Sequence, residues 1–285
     1  MRVRRAGWAA AGLLWAVLAQ AQERVTLPSL DRAGGRPVLL IGHWFEAGPS
    51  AASPAPAAVL LHGCGGPYDR RGELSARLRE YAALLNTNGM HALVVDSLTP
   101  RGETELCTQR IGSRRVTQAN RRLDALAAVD WLAHRPEVDA RRIGLIGWSN
   151  GGSTLLAALN RRHADVAAAP TEPAFAVAFY PGCEAELKRG FETRTKLLML
   201  VGAADDWTLA APCVALANAA PGASPQIEIE RYDGAYHGFD SGAPLRLRKD
   251  VPNGVSPGAG VHVGGDPAAL AASRERLLRF LAQQK

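Results

Sequence analysis

Ser149, Asp205 and His237 are the residues whose types and settings could do chemistry together, and the serine is the most specific of the three. It stands in Gly147-Trp148-Ser149-Asn150-Gly151-Gly152, a G-x-S-x-G segment. Residues 143–146 before it are a short apolar run of buried-strand type, and residues 153–160 after it have helical composition. A strand that turns sharply through such a segment into a helix lifts the serine hydroxyl above the sheet. Glycines two before and two after leave no Cβ to clash where the backbones approach. The helix that begins there points its free N–H groups toward the serine, where negative charge would develop. A second match, Gly254-Val255-Ser256-Pro257-Gly258, is an internal control. No strand precedes it and no helix directly follows it. Pro257 also lacks the N–H that the residue after a nucleophile must donate, so this copy reads as loop.

A serine hydroxyl needs a base to take its proton, and the base needs an acid to orient it. The order serine, acid, histidine is the one used when the nucleophile sits on such a turn. Gly202-Ala203-Ala204-Asp205-Asp206-Trp207 follows the apolar run 197–201, and Asp233-Gly234-Ala235-Tyr236-His237-Gly238-Phe239 follows the alternating run 227–232. Both lie just past the C-terminal end of an expected strand, where ligands sit in open α/β sheets. His237 is therefore the candidate base and Asp205 the candidate acid. Asp206 is the rival acid, with capping of the following helix as its other role. Two backbone N–H groups should hold the oxyanion. Asn150 supplies one, and Cys64, in the loop His62-Gly63-Cys64-Gly65-Gly66, supplies the other. His62 reads as a brace for that loop. Trp148, Trp207 and Tyr236 are candidates for lining the substrate site, with packed core as the alternative.

The elements that would position these residues follow from periodicity. An opening hairpin is expected over residues 22–53, with a turn at Gly34-Gly35 and strand-like runs at 38–41 and 44–45. Strands are expected at 59–61, 92–95, 143–146, 174–180, 197–201 and 227–232, the last with one exposed side. Helices are expected at 74–85, 116–134, 209–220 and 266–284. Alternating strands and helices predict a mostly parallel central sheet with helices on both faces. Residues 99–113 read as polar loop, and the Gly/Pro-rich stretch 241–265 as a long connection expected to be poorly ordered.

Residues 1–21 read as a secretory signal peptide, with Arg2, Arg4 and Arg5, then an apolar run over 6–18, then Ala19-Gln20-Ala21. The alternative is an uncleaved N-terminal anchor, although the run is short for a membrane span. The remainder, residues 22–285, suits one α/β domain, exported to the periplasm or secreted, with no stable membrane span after processing. Without the three leader arginines the net charge falls from +6 to +3, and no dense basic run argues for nucleic acid. The four cysteines, Cys64, Cys107, Cys183 and Cys213, suit disulfides in an exported chain. The expected pairs are Cys64–Cys107 and Cys183–Cys213, because each joins loops that follow neighbouring elements.

His62 to Gly66, the GWSNGG turn, GAADDW with Asp205, and YHGF around His237 together resemble the dienelactone hydrolase family of the α/β-hydrolase superfamily. The resemblance runs from about residue 57 to the C-terminal helix. It implies the α/β-hydrolase fold, a Ser149–Asp205–His237 triad and the amides of Asn150 and Cys64 as oxyanion donors. It also implies a small-molecule ester or lactone as substrate. The founding members use cysteine as nucleophile, where this chain has Ser149, and hold a substrate carboxylate with arginines, for which Arg101 lies near a matching position. The expected activity is a carboxylic ester hydrolase that needs no metal or organic cofactor. A peptidase or amidase with the same triad is the runner-up, and a non-catalytic binding protein on this scaffold is the alternative of another class.

Overall fold

The computed structural model describes residues 22–49, 51–219 and 227–284. The proposed leader, residues 1–21, and residue 220, at the end of an expected helix, lie outside the described residues. A hairpin of β1 (Gln22–Ala33) and β2 (Arg36–Phe45) turns at Gly34 and Gly35, both with positive φ, as that turn requires. Then follow β3 (Ala55–Leu61), α1 (Ala76–Thr87), β4 (His91–Asp96), α2 (Gln118–Ala133), β5 (Val138–Trp148), α3 (Asn150–Leu159), the short α4 (Ala164–Ala167) and β6 (Phe175–Phe179). The chain continues through α5 (Glu184–Arg189), β7 (Lys196–Gly202), α6 (Ala210–Ala219), β8 (Ile227–Tyr232), β9 (Arg246–Arg248), β10 (Val261–Val263) and α7 (Pro267–Ala282).

Eight strands form one sheet in the order β1-β2-β4-β3-β5-β6-β7-β8. The pairs β1/β2 and β2/β4 are antiparallel, and every pair from β4 across to β8 is parallel. The parallel strands end at one edge of the sheet, so the loops after β3, β5, β7 and β8 share that edge. Both faces of the central strands are covered. Val59, Leu61, Leu145, Met199 and Val201 pack with α2, α3 and α6, while Leu60, Ile146, Trp148, Leu198 and Leu200 pack with α1 and α7. Burial on both faces is why these strands read as continuous apolar runs rather than as alternation. β8, at the sheet edge with β7 as its partner, is only partly buried along most of its length. Helix ends follow local chemistry. Thr117 and Asn120 form a reciprocal capping box for α2, and Asp266 caps α7 ahead of Pro267. Among the described residues no helix is long and apolar enough to cross a membrane.

Two expectations need correcting. The loop at 99–113 contains two 3-10 turns, Thr99–Arg101 and Ile111–Ser113. The connection at 241–265 is not irregular throughout: β9 and β10 pair antiparallel, and His237 bridges in parallel to Val263. Its glycines serve close packing. A Cβ on Gly264 would stand 2.3 Å from the Leu245 Cα, and one on Gly265 1.7 Å from the Ser241 carbonyl oxygen.

Candidate active site

Ser149 joins β5 to α3 with φ 54° and ψ −118°, a left-handed conformation that costs a non-glycine residue about 1–3 kcal/mol. Its surroundings hold it there. The Ser149 N–H donates to the Phe179 carbonyl at 2.9 Å, and the Ser149 carbonyl accepts the Ser153 N–H at 2.9 Å. The glycines are needed for approach. A Cβ on Gly147 would lie 2.4 Å from the Gly151 carbonyl oxygen, and one on Gly151 would lie 2.0 Å from that of Leu61. Such contacts are far inside van der Waals range, so only Gly-x-Ser-x-Gly lets the turn sit against the loop after β3.

The structure brings the other two predicted residues to this serine. His237 Nε2 is 2.8 Å from Ser149 Oγ, and His237 Nδ1 is 2.8 Å from Asp205 Oδ2. His237 and Asp205 are each 3% exposed, which leaves little water to compete for either bond. A proton on Nδ1 donates to Asp205 and leaves Nε2 free to accept from the serine. Asp205 Oδ1 accepts the N–H groups of Trp207 at 2.8 Å and Thr208 at 2.9 Å, which fixes the carboxylate at the end of β7. Burial pushes the Asp205 carboxyl up, but His237 and these hydrogen bonds outweigh it and hold it below the ordinary carboxylate value. Asp206 does not cap α6 as expected. Its carboxylate accepts the His262 N–H at 2.8 Å and lies 2.7 Å from His262 Nδ1, so it anchors β10 beside the histidine loop. The neighbouring acid, Asp205, accepts the N–H groups of the turn that leads into α6.

The two segments expected to carry oxyanion donors lie side by side. Gly63 is close enough to the elbow that a Cβ on it would be 3.6 Å from Ser149 Cβ. The loop is tethered through the Cys64–Cys107 disulfide and through the Leu106 N–H, which donates to the Cys64 carbonyl at 2.7 Å. His62 braces it as expected. Its Nδ1 lies 2.7 Å from the Gly63 carbonyl, and its Nε2 lies 3.4 Å from the Ser97 N–H. Those partners require a proton on Nδ1 and none on Nε2. Burial, and then the nearby Arg121 guanidinium, keep this imidazole neutral, well below the usual histidine range. Arg121 itself donates to the His62 carbonyl at 2.7 Å and to Asn150 Oδ1.

The remaining candidates divide. Arg101 is not at the site: it donates to Asp124 Oδ1 and Asp31 Oδ2, each at 2.8 Å, and to the Ser97 carbonyl at 2.8 Å. Its guanidinium is saturated by two carboxylates, so it stitches β1 to α2 rather than awaiting a substrate. Trp148 is likewise core. It is 1% exposed, stacks on Phe179 at 5.5 Å, and donates from its indole to buried Asp240 at 2.8 Å. Trp207 is half-buried with its ring 4.7 Å from that of His237, which places it at the site. Tyr236 is half-buried and packs on His262 at 4.9 Å, on the outer side of the same loop. Sequence reasoning missed Arg121, His262 and Asp240, the last accepting from Tyr180 at 2.6 Å behind the histidine. A buried arginine on a helix resembles a solvated one in sequence. His262, by contrast, had a signal in its distance past the last long strand.

The sheet order, the elbow and the loop positions define an α/β-hydrolase fold. The dienelactone hydrolase family model matches residues 45–284, and the chain belongs to that family. That family is one of hydrolases, and this chain is a hydrolase of that family. No curated protein matches the chain. Among solved structures it is similar to a dienelactone hydrolase-like promiscuous phosphotriesterase from metagenomic libraries, at 19% identity and TM-score 0.63, covering 93% of this chain and 99% of that one. A dienelactone hydrolase from Anabaena variabilis matches at 18% identity and TM-score 0.62, with 92% and 97% covered. Esterase 2 from Thermogutta terrifontis, phosphorylated by paraoxon, matches at 18% identity and TM-score 0.61, with 92% and 94% covered.

Proposed function

We propose that the protein cleaves a small carboxylic ester or lactone through an acyl-enzyme on Ser149. The observation that carries this reading is the continuous hydrogen-bonded path from Ser149 Oγ through His237 to Asp205 at the sheet edge. Ser149 Oγ attacks the carbonyl carbon as His237 Nε2 takes its proton. Asp205 holds the imidazole in the tautomer that can accept it and stabilises the imidazolium that forms. The amides of Asn150 and Cys64 receive the oxyanion. His237 then gives the proton to the leaving alkoxide, and water repeats the sequence on the acyl-enzyme to release the acid and restore Ser149. Trp207, against the imidazole, limits water on that side of the site. Fluorophosphonate labelling followed by peptide mapping tests the assignment. One adduct on Ser149, lost in Ser149→Ala, is expected, and an unlabelled wild-type protein refutes it. A panel of p-nitrophenyl esters and anilides then separates esterase from amidase activity.

We also propose that the enzyme is exported. The two disulfides, Cys64–Cys107 and Cys183–Cys213, and the lack of any free cysteine among the described residues support an oxidising compartment. N-terminal sequencing of the protein recovered outside the cytoplasm should begin at residue 22. A start at residue 1 refutes cleavage.

A further inference from the structure

Arg121 lies on α2, away from the elbow in sequence, yet its guanidinium reaches both segments that the proposed mechanism relies on for the oxyanion. The β3/β5 ladder ends at Leu61 opposite Gly147. Past that point the loop 62–66 and the first turn of α3 lie in close packing contact, but among the described residues no backbone hydrogen bond joins them. Arg121 supplies the polar link between them. One terminal nitrogen donates to the His62 carbonyl at 2.7 Å and the other to Asn150 Oδ1. The forked, planar guanidinium suits this task, because two donors at fixed separation set the distance between their acceptors.

Its charge is unusual as well. Arg121 is 1% exposed, its Nε has no hydrogen-bond partner, and among the described residues it makes no ion pair. The carboxylates that bear on it are Asp124, committed to Arg101 and Ser29, and buried Asp96, which accepts the Leu98 and Thr99 N–H groups. His62, the ring beside it, is neutral and points its proton at Gly63 rather than at the cation. The direct hydrogen-bond acceptors of Arg121 are neutral, and the two carboxylates offset its charge from beyond hydrogen-bond reach, so the position of the fork is set by the His62 carbonyl and Asn150 Oδ1 rather than by an ion pair.

We propose that Arg121 is a positioning residue for the oxyanion site, setting the spacing of the Cys64 and Asn150 amides. The proposal rests on the serine-hydrolase reading above. The experiment compares wild type with Arg121→Lys, which keeps the charge but loses the fork, and Arg121→Met, which loses both. Active sites are first counted by fluorophosphonate titration, and kcat is expressed per titrated site. A trifluoromethyl ketone is the second probe. Ser149 adds to its carbonyl, His237 takes the proton, and the resulting alkoxide occupies the oxyanion site.

Per-site kcat should fall roughly a hundred-fold or more in Arg121→Met, the size of effect expected when an oxyanion donor is lost, and by an intermediate factor in Arg121→Lys. KM should stay within about two-fold, and trifluoromethyl ketone affinity should weaken in parallel with kcat/KM. A purely structural arginine would lower the number of titratable sites and the Tm while leaving per-site kcat and ketone affinity at wild-type values, and that result overturns the proposal. Should Arg121→Met fail to fold, Arg121→Lys carries the same two readouts with the charge and aliphatic stem retained. A wild-type protein that takes no label at Ser149 would instead overturn the reading of the site itself, before the variants are compared.

Discussion

Asp205 and Asp206 are neighbours in the chain with different partners: one holds His237, the other holds His262 on β10. Replacing each by asparagine therefore has separable consequences. Asp205→Asn keeps the shape but favours the wrong imidazole tautomer, and kcat should fall about 10⁴-fold, as in other triads of this geometry. Asp206→Asn keeps an acceptor for the His262 N–H and should change kcat by less than about ten-fold; steady-state kinetics on one ester decides both. The pH dependence of stability follows from the same carboxylate. Asp205 is held below its unfolded value, so its stabilising contribution is complete above the ordinary aspartate range, near pH 4, and is lost as pH falls through its lower folded value. Thermal melts between about pH 6 and pH 2 should show a steeper acid loss in wild type than in Asp205→Asn; parallel curves would contradict the assignment. The choice between the two acids could not be made from spacing alone, because both follow the same turn glycine. What separates them is the direction in which each side chain leaves the loop, a property of the fold.

At the scale of the elements, the elbow is the part most legible in the sequence, because steric need selects residue type directly. Gly151 packs its backbone on the carbonyls of Leu61 and His62, at 2.0 Å and 2.6 Å from where a Cβ would stand. Gly151→Ala must push α3 away from the loop after β3, and so should separate the oxyanion amides. The expected cost is about 1–3 kcal/mol of stability, with a larger proportional loss of turnover than of folded protein. Gly112→Ala is the control: nothing lies within 4 Å of its Cβ position, and a surface change there should stay within about 0.5 kcal/mol. Urea unfolding and per-site kcat on both variants check the pair. The buried parallel strands were legible for a related reason, since burial on both faces leaves unbroken apolar runs. β9 and β10 were not: strands of three residues each, set among close-packed glycines and prolines, have neither the length nor the alternation that periodicity requires. Arg121 was hidden for the opposite reason. A guanidinium on a helix is ordinarily solvated, and only the packing of α2 against α3 and the β3 loop reveals that this one is enclosed.

Across the whole molecule, the two disulfides close loops of similar length but restrain different things. Cys64–Cys107 spans 43 residues and Cys183–Cys213 spans 30, and the chain-entropy model assigns each about 4 kcal/mol. On stability alone the two should therefore be close to interchangeable, with small added losses where the buried sulfurs leave space. On activity they should not. Cys183–Cys213 links the start of α5 to α6, behind the α3 face of the sheet, where neither end touches Ser149, Asp205 or His237. Cys64–Cys107 is attached to the loop that carries the proposed oxyanion amide, and its other end lies in the polar stretch after β4. Cys183→Ala/Cys213→Ala should lower the urea midpoint while leaving per-site kcat at 25 °C within about two-fold of wild type. Cys64→Ala/Cys107→Ala should lower the midpoint by a comparable amount and also reduce per-site kcat, with KM nearly unchanged, because a looser loop spends less time with its amide aimed at the oxyanion. Equal kcat values in the two double variants would mean that the Leu106–Cys64 hydrogen bond and Arg121 hold the loop without the bridge, and that the bridge stabilises the fold alone.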